Sequence, residues 1–261
     1  MRPLFALIKR EFTAYFLSPV AYVTLAVFLL VTGHLFYLVL TGLTKPGSSG
    51  IEYPMQALLG DEKFWLVFLF IPPLLTMRLL AEERGTGTLE SLLTSPIRDW
   101  QVVAGKFIGA CLFYVVLWLP TLVYLPILTD ATFPTWWNPA TWTFGIDPYP
   151  VLTSYLGVML AGAMFLGIGL FVSSLVKSQL VAAMISMVVS LVFVLAAFWR
   201  PDLDTGSLTY RLVYFISVPE HFRRDFTRGL IDTRHLTLYL SVTLFTLFLT
   251  VRSLESRRLR A

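Results

Sequence analysis

The sequence predicts an all-α integral membrane protein, an N-terminal amphipathic helix followed by six membrane-spanning helices. Three observations carry this. Of 261 residues, 56% are apolar and only 14% charged, against about a quarter in a soluble domain, and the mean hydropathy is +0.73. The apolar residues gather into six long runs, most of them near the length that ~30 Å of hydrocarbon demands. With residues 199–235 set aside, the two ends of the chain and alternate connections between the runs hold twelve Lys and Arg and the other connections two, the distribution by which basic residues hold the cytoplasmic side. A pI near 9.2 therefore reports topology, and no nucleic-acid partner is expected. The single cysteine, Cys111, lies in an apolar run and has no partner for an internal disulfide. No Cys/His group has metal-ligand spacing.

Residues 3–18 form the first element. Leu4, Ile8, Phe12 and Phe16 step by four, Phe5, Leu7 and Tyr15 widen the stripe, and Arg2, Lys9 and Arg10 lie off it. That pattern predicts an interfacial helix with its aromatics in the acyl boundary and its cations toward anionic lipid. Charges interrupt the segment and no small-residue cleavage site precedes Val20, which argues against a cleaved signal peptide. Residues 20–40 are the first span. His34 lies toward its outer end without a carboxylate in the span, so it reads as an interfacial or packed neutral histidine rather than a proton relay. Residues 41–63 are an external loop with room for a short helix.

The second span, 64–80, is short, and Pro72–Pro73 are expected to kink it, because proline removes a helix hydrogen bond and clashes with the preceding turn. The third runs from 102 to 128, bent near Pro120 and Pro126, with Gly105 and Gly109 as a helix-packing pair. Residues 129–150 hold Trp136, Trp137, Trp142 and Tyr149 but no Lys or Arg, and read as an outer loop lying on the bilayer surface. In the fourth span, 151–175, Gly157 with Ala161 and Ala163 with Gly167 are spaced for close helix contact. A tight turn at 176–179 leads to the fifth span, 180–198, where Ser186 and Ser190 are expected to bond their own backbone. Residues 199–235 are an arginine-rich external loop, and 236–251 are the sixth span, followed by a basic tail.

The most informative stretch is 78–106. Gly85 and Gly87 release the backbone after Glu82, Glu83 and Arg84. A short helix starts at Thr88, whose hydroxyl caps it, with Glu90 favourable in its first turn. Pro96 ends it. Leu89, Leu92, Leu93 and Ile97 recur at helical spacing on one apolar face. From the residues alone this is an amphipathic helix at the membrane surface, or a rigid helix held between two spans that offers its face to a soluble partner. Arg78 and Lys106 flank it near the inner boundary and read as snorkelling anchors.

Met77-Arg78, Ala81-Glu82-Glu83, Gly87-Thr88-Leu89-Glu90, Leu92-Leu93-Thr94-Ser95-Pro96 and Gly105-Lys106-Phe107 resemble, in order and without gaps, the first cytoplasmic loop of ABC-2 type transporter permeases. Ser154-Tyr155-Leu156-Gly157, Gly167, Gly169, Ser173-Ser174-Leu175 and Gln179 extend the resemblance. Residues 215–222 and 228–232 are most similar to the gliding-motility-associated branch. The resemblance implies the ABC-2 exporter fold, an elbow helix plus six transmembrane helices. It implies that 82–97 is a coupling helix docking into a separate cytoplasmic ABC ATPase, two copies of which would carry ATP and Mg2+, none being held by this chain. Leu89, Leu92 and Leu93 would fill the ATPase groove, and Glu82, Glu83, Glu90 or Arg84 would pair at its rim. It further implies a second permease copy or a related permease. An auxiliary membrane subunit with an external domain accompanies many members of the branch, and 199–235 is the surface expected to meet it.

The chain is expected to be multi-pass in the cytoplasmic (inner) membrane of a bacterium, with both termini cytoplasmic. With that topology the inner segments hold twelve Lys and Arg and the outer loops eight, six of them in 199–235; that loop breaks the rule, though its acids offset much of its charge, and the competing topology has five spans, with 236–251 lying on the membrane and the tail outside. No G-x-x-x-x-G-K-[ST] occurs, so the chain has no phosphate cradle of its own and is not expected to be an enzyme. No HExxH or G-x-S-x-G appears, and no charge lies in the middle of a span, which disfavours an ion-coupled carrier. A non-transporting scaffold that moves a partner subunit fits the same residues and is the principal alternative.

Overall fold

The computed structural model describes residues 2–43, 54–88, 98–125, 148–198 and 206–258, and every regular element among them is helical. Among the described residues, four helices are long and apolar enough to cross a membrane: Pro19–Thr41, Asp99–Val123, Tyr149–Leu175 and Thr233–Ser256. They belong to α2 (Pro19–Leu43), α7 (Asp99–Trp118, continued by the 3-10 turn Leu119–Val123), α8 (Pro148–Leu175) and α12 (Thr233–Arg258). The first helix, α1 (Arg2–Phe16), is the expected amphipathic segment.

The two other expected spans take different forms. Residues 64–80 are not one helix but α4 (Glu62–Phe68) and α5 (Ile71–Thr76). Pro72 and Pro73 have no N–H to give the carbonyls four residues earlier, Phe68 and Leu69. The chain therefore breaks ahead of the prolines, which occupy the first turn of α5 where no donor is needed. Residues 180–198 contain α9 (Gln179–Leu195), an apolar helix of 17 residues. Its Ala182, Ser186, Ser190 and Val194 are buried while Leu180, Met184, Val188 and Val192 face outward. The hydroxyl of Ser186 donates to its own helix at Ala183 O, 3.0 Å. That of Ser190 has no partner among the described residues.

The 199–235 segment is not the loop expected. It folds into α10 (Leu208–Ile216), α11 (Val218–Arg224) and a 3-10 turn, Phe226–Arg228. Ser207 caps α10 by accepting from Tyr210 N, and Pro219 sits in the first turn of α11. The short helix allowed for in 41–63 is α3 (Pro54–Leu59). The aromatic loop lies mostly outside the described residues, which omit 126–147.

The bundle is built around α8. Of its membrane-length window 72% is buried, against 28% for α2 and for α12. A helix apolar on every side belongs in the interior, and here small residues let neighbours come close all round. A Cβ on Gly157 would meet Phe226 and Phe222, at 2.8 and 3.0 Å, and one on Gly167 would meet Thr246 Oγ1 of α12 at 2.7 Å. Gly162 lies against the Tyr114 ring and Gly169 against Thr76. Ala161 is fully buried, and Ala163 only partly. Gly157 thus receives the 218–228 segment rather than another span. At that end of the bundle Trp65 donates to Leu59 O at 2.8 Å and lies 4.6 Å from the Phe222 ring.

Candidate functional site

At the opposite end, α1 lies across α7, and the GxxxG pair is the reason it fits. A Cβ on Gly105 would stand 2.6 Å from Leu7 Cδ2, and one on Gly109 would stand 2.8 Å from Glu11 Cβ. Leu7 and Glu11 are i,i+4 on α1, as the glycines are on α7, so two residues of one helix rest in two gaps of the other. That contact carries Glu11 over Lys106.

Lys106 is not a snorkelling anchor. It is 2% exposed, with its ammonium 2.7 Å from Glu83 Oε1 and 3.2 Å from Glu11 Oε1. Arg10 joins the same carboxylates, at 2.6 Å from Glu11 and 3.5 Å from Glu83. Two cations and two anions thus alternate and cancel, which is how charge is retained in a site with little water. The sequence held the signal: an acid four residues after Leu7 on the buried face of α1, and a lysine beside the glycine that face meets. Arg78, more exposed, binds Glu82 at 2.9 Å and also donates to Ser18 Oγ.

The connection from α5 to residue 88 is fixed to the body of the protein. The chain turns at Met77–Leu80 and enters α6 (Ala81–Gly85). The hydroxyl of Ser173 on α8 accepts from Leu80 N and Ala81 N at 3.1 and 3.0 Å and donates to Met77 O at 3.3 Å. One oxygen thus serves both sides of the turn, satisfying N–H groups that a helix start leaves free. Arg84 reaches the other way and donates to Ser174 O at 2.7 Å and Val176 O at 3.0 Å. Those carbonyls are at the end of α8, where a cation is favoured.

The two glycines of this connection act differently. Gly87 has φ +76° and makes the expected left-handed turn, whereas Gly85 is helical. Gly85 is needed for space, since a Cβ there would stand 3.0 Å from Lys177 O.

Of the residues expected to face an ATPase, Glu83 and Arg84 are therefore bonded within the chain. Glu82 is half-exposed, and Thr88 is exposed with its hydroxyl 2.9 Å from that of Thr86. Leu89, Glu90, Leu92 and Leu93 lie outside the described residues.

Sequence reasoning missed a second polar cluster, at the far end, where α11 meets α12. His221 and His235 stack at 3.7 Å, both fully buried. His221 Nε2 lies 3.1 Å from Tyr214 O. A carbonyl only accepts, so this nitrogen carries the proton, and Nδ1 accepts from Tyr239 OH at 2.9 Å. Burial, and then the second ring, hold the His221 pKa down to about 3. Asp225 accepts from His235 at 2.8 Å and Tyr214 OH at 3.1 Å. No group of three or more His, Cys, Asp or Glu among the described residues could hold a metal ion. His34 is exposed on α2.

A family model described as "ABC-2 family transporter protein" matches residues 54–216, more than half of the chain. A search of curated proteins finds no match.

Proposed function

Because the chain belongs to the ABC-2 family of transporter proteins, and so is a permease component of an ABC transporter, we propose that it works as the membrane-spanning subunit of an exporter driven by a separate cytoplasmic ATPase. The reading rests above all on how the 77–88 connection is held. Ser173 ties both sides of its turn to α8, Arg84 ties α6 to the end of α8, and Glu83 ties α6 to α7 and α1 through Lys106. A push on the segment that follows Thr88 is therefore delivered to several helices at once, where a tethered loop would absorb it.

In this reading Leu89, Leu92 and Leu93 fill an apolar groove of the ATPase, with Glu82 and Glu90 at its rim. Glu83 and Arg84 carry the force inward. ATP and Mg2+ are held by the ATPase, and this chain contributes displacement rather than chemistry. Two copies of the chain, or this chain and a related one, would pair with two ATPases in a bacterial cytoplasmic membrane, both termini inside. Membership of the gliding-motility-associated branch belongs to the same reading and rests on the likeness of 154–179 and 215–232. There an auxiliary subunit would meet the surface of α10 and α11.

The test is Leu92→Asp with Leu93→Asp in the full chain, purified gently from its native membrane. The expected result is a permease that still inserts but no longer brings an ATPase bearing a phosphate-binding loop with it. An ATPase retained at wild-type stoichiometry would overturn the docking.

A further inference from the structure

At the end of the bundle where α11 meets α12, the arginines are not used alike. Arg224 pairs with Glu220, and Arg223 lies 3.8 Å from Glu62. Arg228 and Arg234 are exposed, and neither guanidinium has a hydrogen-bond or ion-pair partner among the described residues. The carboxylates beside them are engaged. Asp225 accepts from His235 and Tyr214, and Asp232 accepts from the backbone N–H of Arg234 at 2.8 Å. Asp225 also fixes the loop between the two arginines. Its carbonyl accepts from Arg228 N and Leu230 N, at 3.0 and 3.1 Å, while its carboxylate holds His235, so both ends of the loop are drawn to one residue. Gly229, at φ +83°, turns the chain against Tyr149 and Pro150. The loop so held presents Leu230 and Ile231, 59% and 46% exposed.

The exposed side of α12 gives the depth of this loop. Arg234 and Arg252 are eighteen residues apart, which is five full turns, so they share one face of the helix and stand about 27 Å apart along its axis. Between them that side shows Leu240, Leu244, Phe245 and Phe248, all more than half exposed. An apolar strip of this length, bounded by arginines, matches a hydrocarbon core of ~30 Å. Cations at its two ends reach the phosphates. Arg234 therefore stands at the level of the phosphates, and the loop that precedes it stands at the bilayer boundary.

We propose that the 228–234 loop docks into the bilayer at this end of the bundle, with Leu230 and Ile231 among the acyl chains and Arg228 and Arg234 on the phosphates of anionic phospholipid. Apolar side chains held out on a fixed loop are unfavourable in water and favourable in the acyl boundary. A guanidinium meets phosphate oxygens with paired N–H donors. With Asp225 and Asp232 already engaged, the ammonium of a zwitterionic head group finds no free carboxylate here, so the loop favours lipid of net negative charge. The inference rests neither on the transport reading nor on which end faces the cytoplasm. It needs only that α12 spans the membrane.

The experiment introduces Ile231→Cys into the full chain carrying Cys111→Ala, which removes the single native cysteine. The new thiol takes an NBD fluorophore, and the protein is placed in phosphatidylcholine nanodiscs containing acyl-brominated phosphatidylglycerol or acyl-brominated phosphatidylcholine. Bromine quenches only at contact, so the signal reports the lipid beside this loop and not the lipid beside the basic segments at the other end. Both lipids are expected to quench. The glycerol lipid should reach half its full effect at a mole fraction about fivefold lower, the effect of one arginine near the phosphates. Arg228→Gln with Arg234→Gln changes two exposed side chains that hold nothing in the fold, and should bring the two quenching curves together. Absence of quenching by either lipid would overturn the insertion. Coincident curves with both arginines in place would overturn the choice of lipid, as would curves that stay apart in the double variant. A preference erased by inorganic phosphate at constant ionic strength would assign the arginines to a free anion instead.

Discussion

Lys106→Met isolates the ion cluster. Methionine keeps the apolar stem and removes only the charge, leaving Glu11 and Glu83 with Arg10. Removing one partner of a buried pair costs about 3–5 kcal/mol, because the remaining charge is stranded. Here the lower end applies. Arg10 already stands 2.6 Å from Glu11 and 3.5 Å from Glu83 and stays to bridge them, so the loss is about 3 kcal/mol. At about 2–4 °C per kcal/mol for a chain of this order of size, the melting temperature should fall by about 6–12 °C. The assay is thermal unfolding in nanodiscs followed by tryptophan fluorescence, the chain having seven tryptophans. Glu83→Gln and the double variant complete a cycle. Once Glu83 is neutral the lysine is less needed, so the double variant should lose clearly less than the sum of the singles. A fall below about 2 °C, with additive singles, would mean that the ammonium reaches water and contributes only as an exposed pair does. Lys106 would then be a snorkelling anchor after all.

Two further outcomes follow from the packing. Gly109→Ala should cost about 1–3 kcal/mol, since its Cβ would press on Glu11 Cβ at 2.8 Å. Gly105→Ala should cost at least as much, because its Cβ would meet buried Leu7 at Cδ2, 2.6 Å, and at Cγ, 2.8 Å, and comparing the two melting temperatures checks the order. The His221 pair makes stability depend on pH. The unfolded ring binds a proton below its ordinary value of 6.5, whereas the folded ring does so only near 3. The contribution is therefore complete above 6.5 and lost progressively as pH falls from 6.5 to 3, by about 2 kcal/mol between pH 7 and 5. His221→Gln should flatten that part of the profile, measured as melting temperature against pH.

Much of this was legible in the sequence. The stripe of Leu4, Ile8, Phe12 and Phe16 gave α1, and unbroken apolar runs gave α2, α8 and α12 to within a few residues, except where α12 extends beyond 251. Period and hydropathy report local preference, and there they suffice. They do not report depth. Lys106 looked like an interfacial cation because nothing local says that α1 lies over it. The 199–235 segment looked like a loop because its arginines outweighed a helix-start signal at Ser217-Val218-Pro219-Glu220 that was there to be read. Proline was read correctly as a disturbance at 72–73, but the break falls before it, where the donors are missing. In the candidate site, the charged residues were found and their direction was not. Glu83 and Arg84 turn inward because α8 presents carbonyls and α7 a lysine, both of them far away in sequence.

The Ser173 hydroxyl has one proton and two lone pairs, and all three are engaged at the turn between α5 and α6. Each of these bonds is worth only about 1 kcal/mol, comparable with thermal energy, so singly they stretch and reform, but all three pull on one oxygen and draw the helices back to the same angle. The joint therefore behaves as a sprung hinge, free to tremble and biased to a single resting position.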